Sequence, residues 1–305
     1  MLMSERDKPI PALEHLEERK RREIEHSRVR RTILQGFERR SDTHRSEEAV
    51  NLDGLIRDKD AFDHHFSNIK YYAITQSSEQ YKHGWLASKC RPGLRVLDFA
   101  CGNGENALFA AQCGAEAVGI DISPEGIANA RLNAEEAGLS KTCTFEVMDG
   151  ENMTFQDETF DVAVEYGALH HVDLDKAIPE LFRVLKPGGE MICVEALQHN
   201  PLIHWYRRRT PHLRTQWEVE HILRVEDLDI IRKHFANVHV RFFHLLVLAA
   251  VPFRKTRLFQ PLRTMLDKVD RFILAREWIG KYAWIMVFTM KKPGLNPSEP
   301  LSHQV

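Results

Sequence analysis

The chain lacks long hydrophobic runs. Its longest apolar stretch, residues 245–253, is less than half of the roughly 20 residues that a membrane-spanning helix needs. Residues 5–8 are all charged and no apolar segment follows them, which is not the pattern of a secretory signal. We therefore expect a cytoplasmic protein that contacts a membrane, if at all, only as a peripheral protein.

Cysteine is also scarce. The chain has five cysteines among 305 residues, and no two of them stand in a C-x-x-C arrangement. Most fall within or beside predicted core elements, where a thiol packs as a small apolar group. We expect buried, reduced thiols and hence a reducing compartment. The five are Cys90, Cys101, Cys113, Cys143 and Cys193.

The formal net charge is only −2, but the charges are unevenly distributed. Residues 198–292 contain 18 lysines and arginines against 8 acidic residues, whereas the whole chain has 42 and 44. A basic C-terminal third is thus attached to an acidic body. This asymmetry favours an anionic partner or membrane surface, and an interface between the two parts of the chain would also explain it.

The N-terminal region is highly charged. Residues 13–40 are rich in Glu, Arg and Lys and predict a helix that packs by one narrow apolar stripe. A nucleic-acid-binding arm is the alternative, but the many glutamates would repel phosphate, so no nucleic-acid partner is predicted. Residues 41–60 are polar and predict a linker.

The most informative segment is RVLDFACGNG at residues 95–104. Its apolar start predicts a buried strand, and Gly102 and Gly104 allow the backbone to approach a ligand before a helix begins. The segment resembles the first motif of class I S-adenosylmethionine (SAM)-dependent methyltransferases, acid-x-Gly-x-Gly-x-Gly, with Asp98 as the acid. Ala100 stands in place of the first glycine, which is tolerable if the backbone there does not need a positive φ.

Dinucleotide binding is the competing use of such a loop. The G-x-G-x-x-G pattern needs a third glycine where this chain has Ala107. Asp98 at the strand end would also repel a pyrophosphate, whereas it suits the ammonium group of a methionine moiety. The loop therefore favours SAM over a nicotinamide cofactor.

The resemblance covers about residues 90–200. This region is similar to the small-molecule group that includes the ubiquinone and menaquinone biosynthesis methyltransferases. It implies that Asp121 binds the ribose hydroxyls, that Ile122 lies beside the adenine and that Asp149 meets its amino group. A looser resemblance to fatty-acid cyclopropane synthases implies contact between Tyr72 and the cofactor carboxylate. The implied cofactor contacts are Tyr72, Asp98, Ala100, Gly102, Asn103, Gly104, Asp121, Ile122, Asp149, Gly150 and Glu165.

Alternating strands and helices predict a doubly wound α/β fold, with ligands at the carboxyl ends of the strands. The resemblance implies a mostly parallel seven-stranded, Rossmann-like sheet with an N-terminal helical element and a C-terminal helical insertion. Outside the core, a helix is predicted over residues 225–235 and a strand over residues 238–249. The predicted regions are a charged helix and linker (1–60), the methyltransferase domain (61–292) and a tail (293–305).

A sulfonium methyl group is already activated, so an enzyme must chiefly align donor and acceptor and exclude water. A hydroxyl or acidic carbon acceptor also benefits from a general base, and histidine suits that role near neutral pH. His171 is the first candidate and His170 the second, because both follow the fourth predicted strand. Glu165, at the end of that strand, is expected to contact the cofactor or to orient a histidine.

The acceptor is expected under a lid formed by about residues 198–220. There Trp205, Tyr206 and Arg207 are candidates to bind an aromatic or acidic acceptor, and the alternative is a solvated arginine turn that pairs with the acidic body. Residues 165–168 (EYGA) differ from the Asn/Asp-Pro-Pro-aromatic tetrapeptide that accompanies methylation of base amines. The sequence contains no compact Asp/Asn/His cluster for magnesium, and no metal is predicted.

The last two predicted strands are separated by an insertion of about residues 250–283, where the family usually has a short hairpin. Apolar and basic residues are interleaved over residues 254–278 in the pattern of an amphipathic helix. Three roles fit this pattern: a cap on the domain, a homodimer contact, or peripheral contact with an anionic membrane.

These features predict a SAM-dependent methyltransferase that acts on a small, lipophilic or anionic metabolite, with O- or C-methylation favoured over N-methylation. Two alternatives stay open. One is a SAM-binding protein without transfer activity, whose basic C-terminal part is a docking surface. The other is a nicotinamide oxidoreductase.

Overall fold

The computed structural model describes residues 16–34 and 66–294. The predicted linker and most of the predicted tail lie outside these residues. Seven strands form one sheet: β1 (Arg95–Phe99), β2 (Glu116–Asp121), β3 (Cys143–Val147), β4 (Phe160–Tyr166), β5 (Leu185–Ala196), β6 (Ala236–Phe243) and β7 (Ile285–Lys291). Their order is β3-β2-β1-β4-β5-β7-β6.

The sheet is doubly wound. The first five strands pair in parallel, and β7 runs antiparallel to both β5 and β6. The chain proceeds outward from β1 to β3 and then returns to β4 on the other side of β1. This order places the topological switch point between β1 and β4, where ligands bind in open α/β sheets. The predicted seven-stranded, mostly parallel sheet is confirmed.

Helices and turns connect the strands. The helices are α1 (Glu18–Leu34), α2 (Ile69–Tyr72), α3 (Gln76–Lys89), α4 (Glu105–Gln112), α5 (Pro124–Glu136), α6 (Leu174–Val184), α7 (Pro201–Arg209), α8 (Gln216–His221), α9 (Leu228–Arg232), α10 (Phe259–Ile273) and α11 (Glu277–Gly280). Short 3-10 helices occupy Leu169–His171, Pro211–Leu213, Val225–Asp227 and Leu246–Phe253. No helix among the described residues is both long and apolar enough to cross a membrane.

The core consists of two layers, one on each face of the sheet. Alternation along β1 shows the division: Val96 packs with α3, α4 and α5, whereas Leu97 packs with α6 and α9. Both side chains have no exposed surface. Strands that are buried on both faces explain why the sequence has near-continuous apolar runs in this region.

Local signals fix several helix starts. Ser123 accepts a hydrogen bond from the backbone N–H of Gly126, and Pro124 follows it at the start of α5. Asn200 and Pro201 begin α7 in the same manner, with the Asn200 side chain accepting from the N–H of Ile203.

Two predicted elements beyond β5 are wrong in extent. The predicted helix over residues 225–235 is a 3-10 turn followed by the short α9. The predicted strand over residues 238–249 ends at Phe243, because His244 adopts a φ of 66° and turns the chain. The apolar residues after it form a 3-10 helix whose first amides donate to the carboxylate of Asp270, at 2.8 to 3.1 Å. An apolar run of this kind does not by itself distinguish strand from helix.

Ala100 adopts a positive φ. Alanine is expected to be tolerable in place of the first glycine only if the backbone there does not need a positive φ, so that condition is not met. The φ of Ala100 is 52°, in the left-handed region. This conformation costs an alanine roughly 1–2 kcal/mol. The loop after β1 therefore stores backbone strain that the glycine of the family motif would avoid.

Gly104 is expected to be the least replaceable glycine of that loop. It has a φ of 84°, and a Cβ there would lie 2.6 Å from Cε1 of Phe145. Gly138 has a φ of 69° with no atom within 4 Å of its Cβ position, so it is a matched control. Gly138→Ala should lower the free energy of unfolding by about 1–2 kcal/mol, and Gly104→Ala by about 1–3 kcal/mol more because of overpacking. Equal losses in urea unfolding would contradict the close contact.

Candidate active site

The loop between β1 and α4 forms a tight cradle at the switch point. Ala100, Gly102 and Gly104 have positive φ values of 52°, 55° and 84°. The N–H of Cys101 donates to the carbonyl of Ile120 at 2.7 Å, which fastens the loop to β2. Since α4 begins immediately after Gly104, the loop also presents a helix N-terminus beside the cradle.

Asp121, at the end of β2, connects two segments of this cradle. Its carboxylate accepts hydrogen bonds from the N–H of Gly102 at 2.8 Å and from the N–H of Ser123 at 2.7 Å. The side chain is partly exposed, and each carboxylate oxygen has a second lone pair. The glycine cradle and this acid fit a nucleoside with a ribose diol, as the sequence predicts.

Asp98 is completely buried beneath the loop. Its carboxylate accepts from the N–H of Ala107 at 2.9 Å and from the side-chain amide of Asn106 at 3.3 Å. Burial raises the pKa of Asp98 to about 7, although these two hydrogen bonds oppose the shift. Asp98 thus fixes the first turn of α4, and its direct contact with a cofactor ammonium stays a prediction.

Helix α1 lies across the carboxyl end of β3. The ammonium of Lys20 is 2.5 Å from Asp149 Oδ2 and 2.8 Å from Glu151 Oε2. Nη2 of Arg19 donates to both carboxylate oxygens of Glu151, at 2.6 and 2.8 Å, and the guanidinium lies over the ring of Trp217, 4.3 Å from its centroid. Asp149, the predicted adenine contact, is therefore already paired with a cation of the same chain.

The same helix reaches His171. Glu23 Oε2 is 3.0 Å from Nδ1 of His171, and the other oxygen of Glu23 accepts from the hydroxyl of Thr215. Burial alone would lower the pKa of His171, but the Glu23 hydrogen bond and nearby carboxylates raise it to about 9. An imidazolium cannot accept a proton, so this arrangement does not favour His171, the first choice from the sequence, as a base near neutral pH.

His170 has the geometry of a base oriented by an acid. Its Nδ1 lies 2.6 Å from Oε2 of Glu195, which is fully buried at the end of β5 and also accepts from the N–H of Leu169 at 2.6 Å. With Nδ1 directed at the carboxylate, Nε2 is the ring nitrogen left to accept a proton. This geometry favours His170 over His171, and a base role for either histidine stays a prediction.

Glu195 is paired with a second buried carboxyl, Glu165 of β4. Burial and the charge of Glu195 raise the pKa of Glu165 well above its ordinary value. Burial would also raise the pKa of Glu195, but its contact with His170 and its hydrogen bond from the N–H of Leu169 lower it. These opposite shifts favour Glu165 as the neutral member of the pair and Glu195 as the charged one, against which His170 lies. Glu165 Oε1 accepts from the N–H of Ala168, and the contact of Glu165 with the cofactor stays a prediction.

An aromatic cluster forms the side of the site next to β5 and β7. The rings of Tyr71 and Tyr206 meet edge to face at 4.9 Å between centroids, and Trp284 is 5.9 Å from Tyr71 and 5.8 Å from Tyr72. The hydroxyls of Ser67 and Tyr206 are 2.8 Å apart. The N-terminal element therefore contacts the predicted lid region.

The three predicted acceptor residues differ in their exposure to solvent. Tyr206 and Arg207 are buried, whereas Trp205 is 51% exposed and stacks with Arg209. Arg207 donates to the carbonyl of Leu197 at 2.8 Å. Burial lowers the pKa of Arg207 to about 10, so the guanidinium is still charged at neutral pH. Arg207 is thus a buried cation beside the aromatic cluster, and the solvated arginine turn applies to its exposed neighbours only.

Several functional residues escape the sequence analysis because their partners are distant along the chain. Glu195 is 25 residues from His170, and Glu23 is 148 residues from His171. The only local signal was an acid near the end of both β4 and β5, which are parallel neighbours. Within the described part of the chain, no group of three His, Cys, Asp or Glu side chains could hold a metal ion.

Comparisons with known proteins agree with this geometry. A family model described as a methyltransferase domain matches residues 97–193. The ubiquinone biosynthesis O-methyltransferase of Cereibacter sphaeroides is 35% identical over 171 residues, which cover 53% of this chain and 68% of that protein. The sterol 4-C-methyltransferase strm-1 of Caenorhabditis elegans is 34% identical over 140 residues, which cover 42% of each chain. The chain thus spans about two fifths to two thirds of these relatives.

A solved structure shows the same fold. The geranyl diphosphate C-methyltransferase of Streptomyces coelicolor, in complex with Mg²⁺, geranyl diphosphate and S-adenosyl-L-homocysteine, matches with a TM-score of 0.50 and 13% identity. The match covers 74% of this chain and 84% of that chain. At this identity the likeness concerns the fold alone.

Glu23→Gln should return the pKa of His171 towards its ordinary value of 6.5, because it removes the facing charge. In the native protein the raised pKa stabilises the fold fully below pH 6.5, and this contribution is lost as the pH rises through about 9. The variant should lose most of that pH dependence in urea unfolding, and NMR titration of the ring should report the lower pKa.

Glu25→Gln is the matched control, since Glu25 lies on the same helix but is exposed and 3.8 Å from Arg28. It should leave the His171 titration unchanged. A ring pKa that stays near 9 in Glu23→Gln would show that other groups hold the proton on His171.

Proposed function

The chain belongs to the class I SAM-dependent methyltransferases, and we propose that it transfers the methyl group of SAM to an oxygen or carbon atom of a small, largely apolar acceptor. The observation that carries this proposal is the pair of His170 and Glu195 beside the aromatic cluster. Leu197, two residues after Glu195, donates from its N–H to the carbonyl of Trp284 at 2.8 Å. The base and the aromatic wall thus stand at the same edge of the sheet.

The cofactor residues of this proposal are those of the cradle. Gly102 and Gly104 allow close approach of the backbone, and Asp121 accepts from the ribose hydroxyls. When bound, SAM supplies a methyl group that its sulfonium already makes electrophilic. The chain therefore has to position the acceptor, remove a proton from it and keep water away.

His170 supports an acceptor that must lose a proton. Nδ1 of the ring faces Glu195, so Nε2 accepts the proton of a hydroxyl or acidic carbon, and the imidazolium that forms is stabilised by the buried carboxylate. A neutral amine can be alkylated before it loses its proton, so it has less need of such a base. This is why O- or C-methylation is favoured over N-methylation.

The walls of the site support an apolar acceptor that carries one polar or acidic group. Tyr71, Tyr206 and Trp284 offer apolar surface, and the buried guanidinium of Arg207 offers a counter-charge. The names of the relatives refer to a sterol and to ubiquinone biosynthesis, which supports the same substrate class.

The test is transfer of labelled methyl from SAM into a cell extract, followed by separation into organic, aqueous and macromolecular fractions. Label in the organic fraction is expected. Label confined to macromolecules would contradict the proposed substrate class. Binding of S-adenosylhomocysteine without transfer into any fraction would instead favour a SAM-binding protein without transfer activity.

His170→Gln and Glu195→Gln should each lower the transfer rate about 10²- to 10⁴-fold, since each removes the oriented base. Binding of S-adenosylhomocysteine, measured by calorimetry, should stay near the native value because neither residue belongs to the cradle. His239→Gln is the control, as His239 is exposed on the edge strand β6. Native activity in His170→Gln would mean that alignment alone drives the transfer.

A further inference from the structure

The outer face of α10 is apolar although nothing in the described chain covers it. Leu258, Met265, Val269 and Phe272 recur at intervals of three to seven residues and are 64%, 54%, 40% and 70% exposed. This spacing places them along one side of the helix. Trp278, which is 70% exposed, extends the stripe just beyond the helix.

The inner face of α10 already has its own packing. Phe259 is buried, and Leu262 and Leu266 pack against the core layer that also contains Tyr71, Tyr72 and Trp284. The helix therefore does not need its outer stripe in order to dock on the domain. At 100° per residue the exposed stripe adjoins this buried face, so the apolar arc of α10 is wider than docking on the domain needs, and its exposed part requires an explanation.

The acidic side chains of α10 are turned towards the domain, whereas basic side chains around the stripe are exposed. Asp270 faces inward and accepts the amides of residues 245–247, and Asp267 accepts from the hydroxyl of Ser77 at 3.1 Å. Over residues 254–278 Glu277 is the only exposed acidic side chain. The exposed basic side chains are Lys255, Arg257, Lys268, Arg271 and Arg276.

We propose that this stripe and the basic residues beside it, here called the α10 surface, dock on an anionic lipid bilayer. An apolar stripe flanked by lysines and arginines matches the two layers of such a surface, because the apolar side chains enter the acyl region while the cations meet the headgroups. Charge complementarity selects this occupant over a second copy of the chain. Two α10 surfaces facing each other would bring like charges together.

The position of the α10 surface adds a functional consequence. The buried side of α10 and the 3-10 helix Leu246–Phe253 pack in the same core layer as the aromatic cluster, so they connect the α10 surface to that cluster. A docked enzyme would thus hold its acceptor site close to lipid. This consequence rests on the proposed function, whereas docking itself is measured without methyl transfer.

The experiment is co-sedimentation of the full chain with vesicles of phosphatidylcholine, with and without phosphatidylglycerol. Binding is expected to require phosphatidylglycerol and to weaken as salt is added. Phe272→Ser combined with Trp278→Ser should weaken binding at least tenfold, and Lys268→Glu combined with Arg271→Glu should weaken it by at least as much.

Matched controls come from exposed residues elsewhere. Leu202→Ser with Val219→Ser removes apolar side chains that are 48% and 45% exposed, and Arg91→Glu with Lys141→Glu reverses two exposed cations. Both pairs should bind vesicles as the native chain does. All substituted positions are exposed, and native unfolding curves would verify that the variants fold.

Three results would overturn the proposal. The first is equal binding to vesicles with and without phosphatidylglycerol. The second is loss of binding in the control pairs to the same extent as in the α10 variants. The third is a native dimer in light scattering that Phe272→Ser with Trp278→Ser converts to a monomer while the native chain ignores vesicles, since the surface would then be a dimer contact.

Discussion

The carboxyl edge of the parallel strands gathers acidic side chains, and the structure depends on neutralising each of them. Parallel strands end at one edge, so an acid at the end of each strand places like charges within a small volume. Burial makes this costly unless every carboxylate is paired, hydrogen-bonded or protonated. The five acids concerned are Asp98, Asp121, Asp149, Glu165 and Glu195.

Each acid is neutralised differently, and the differences define the functions that the site can support. Asp98 and Asp121 accept backbone amides and so shape the cradle. Burial and the charge of Glu195 raise the pKa of Glu165, and Glu195 lies against Nδ1 of His170. Asp149 instead receives the ammonium of Lys20 from α1. The same edge thus contains the glycine cradle, the candidate base His170 and the helix α1 that covers Asp149.

The sequence predicts the part of this arrangement that is local. A strand, a glycine loop and a helix follow one another within about twenty residues, so their pattern is enough to place Asp121 and the cradle. The carboxylate that faces each histidine could not be predicted, because Glu23 and Glu195 come close to His171 and His170 only in the fold. The strand predicted beyond Phe243 failed for a related reason: the amides there are satisfied by Asp270 on a later helix. In both cases, the histidines and the end of β6, the outcome depends on a side chain that is distant along the sequence.

Helix α1 connects the two ends of the site through one turn. Lys20 and Glu23 are three residues apart, so they project from the same side of the helix. One contacts Asp149 at the end where adenine is predicted to bind, and the other contacts His171. Both contacts depend on the docking of the same helix, so a change that displaces α1 would remove both. The raised pKa of His171 and the ion pair of Asp149 therefore depend on one segment, although the two residues lie on different loops.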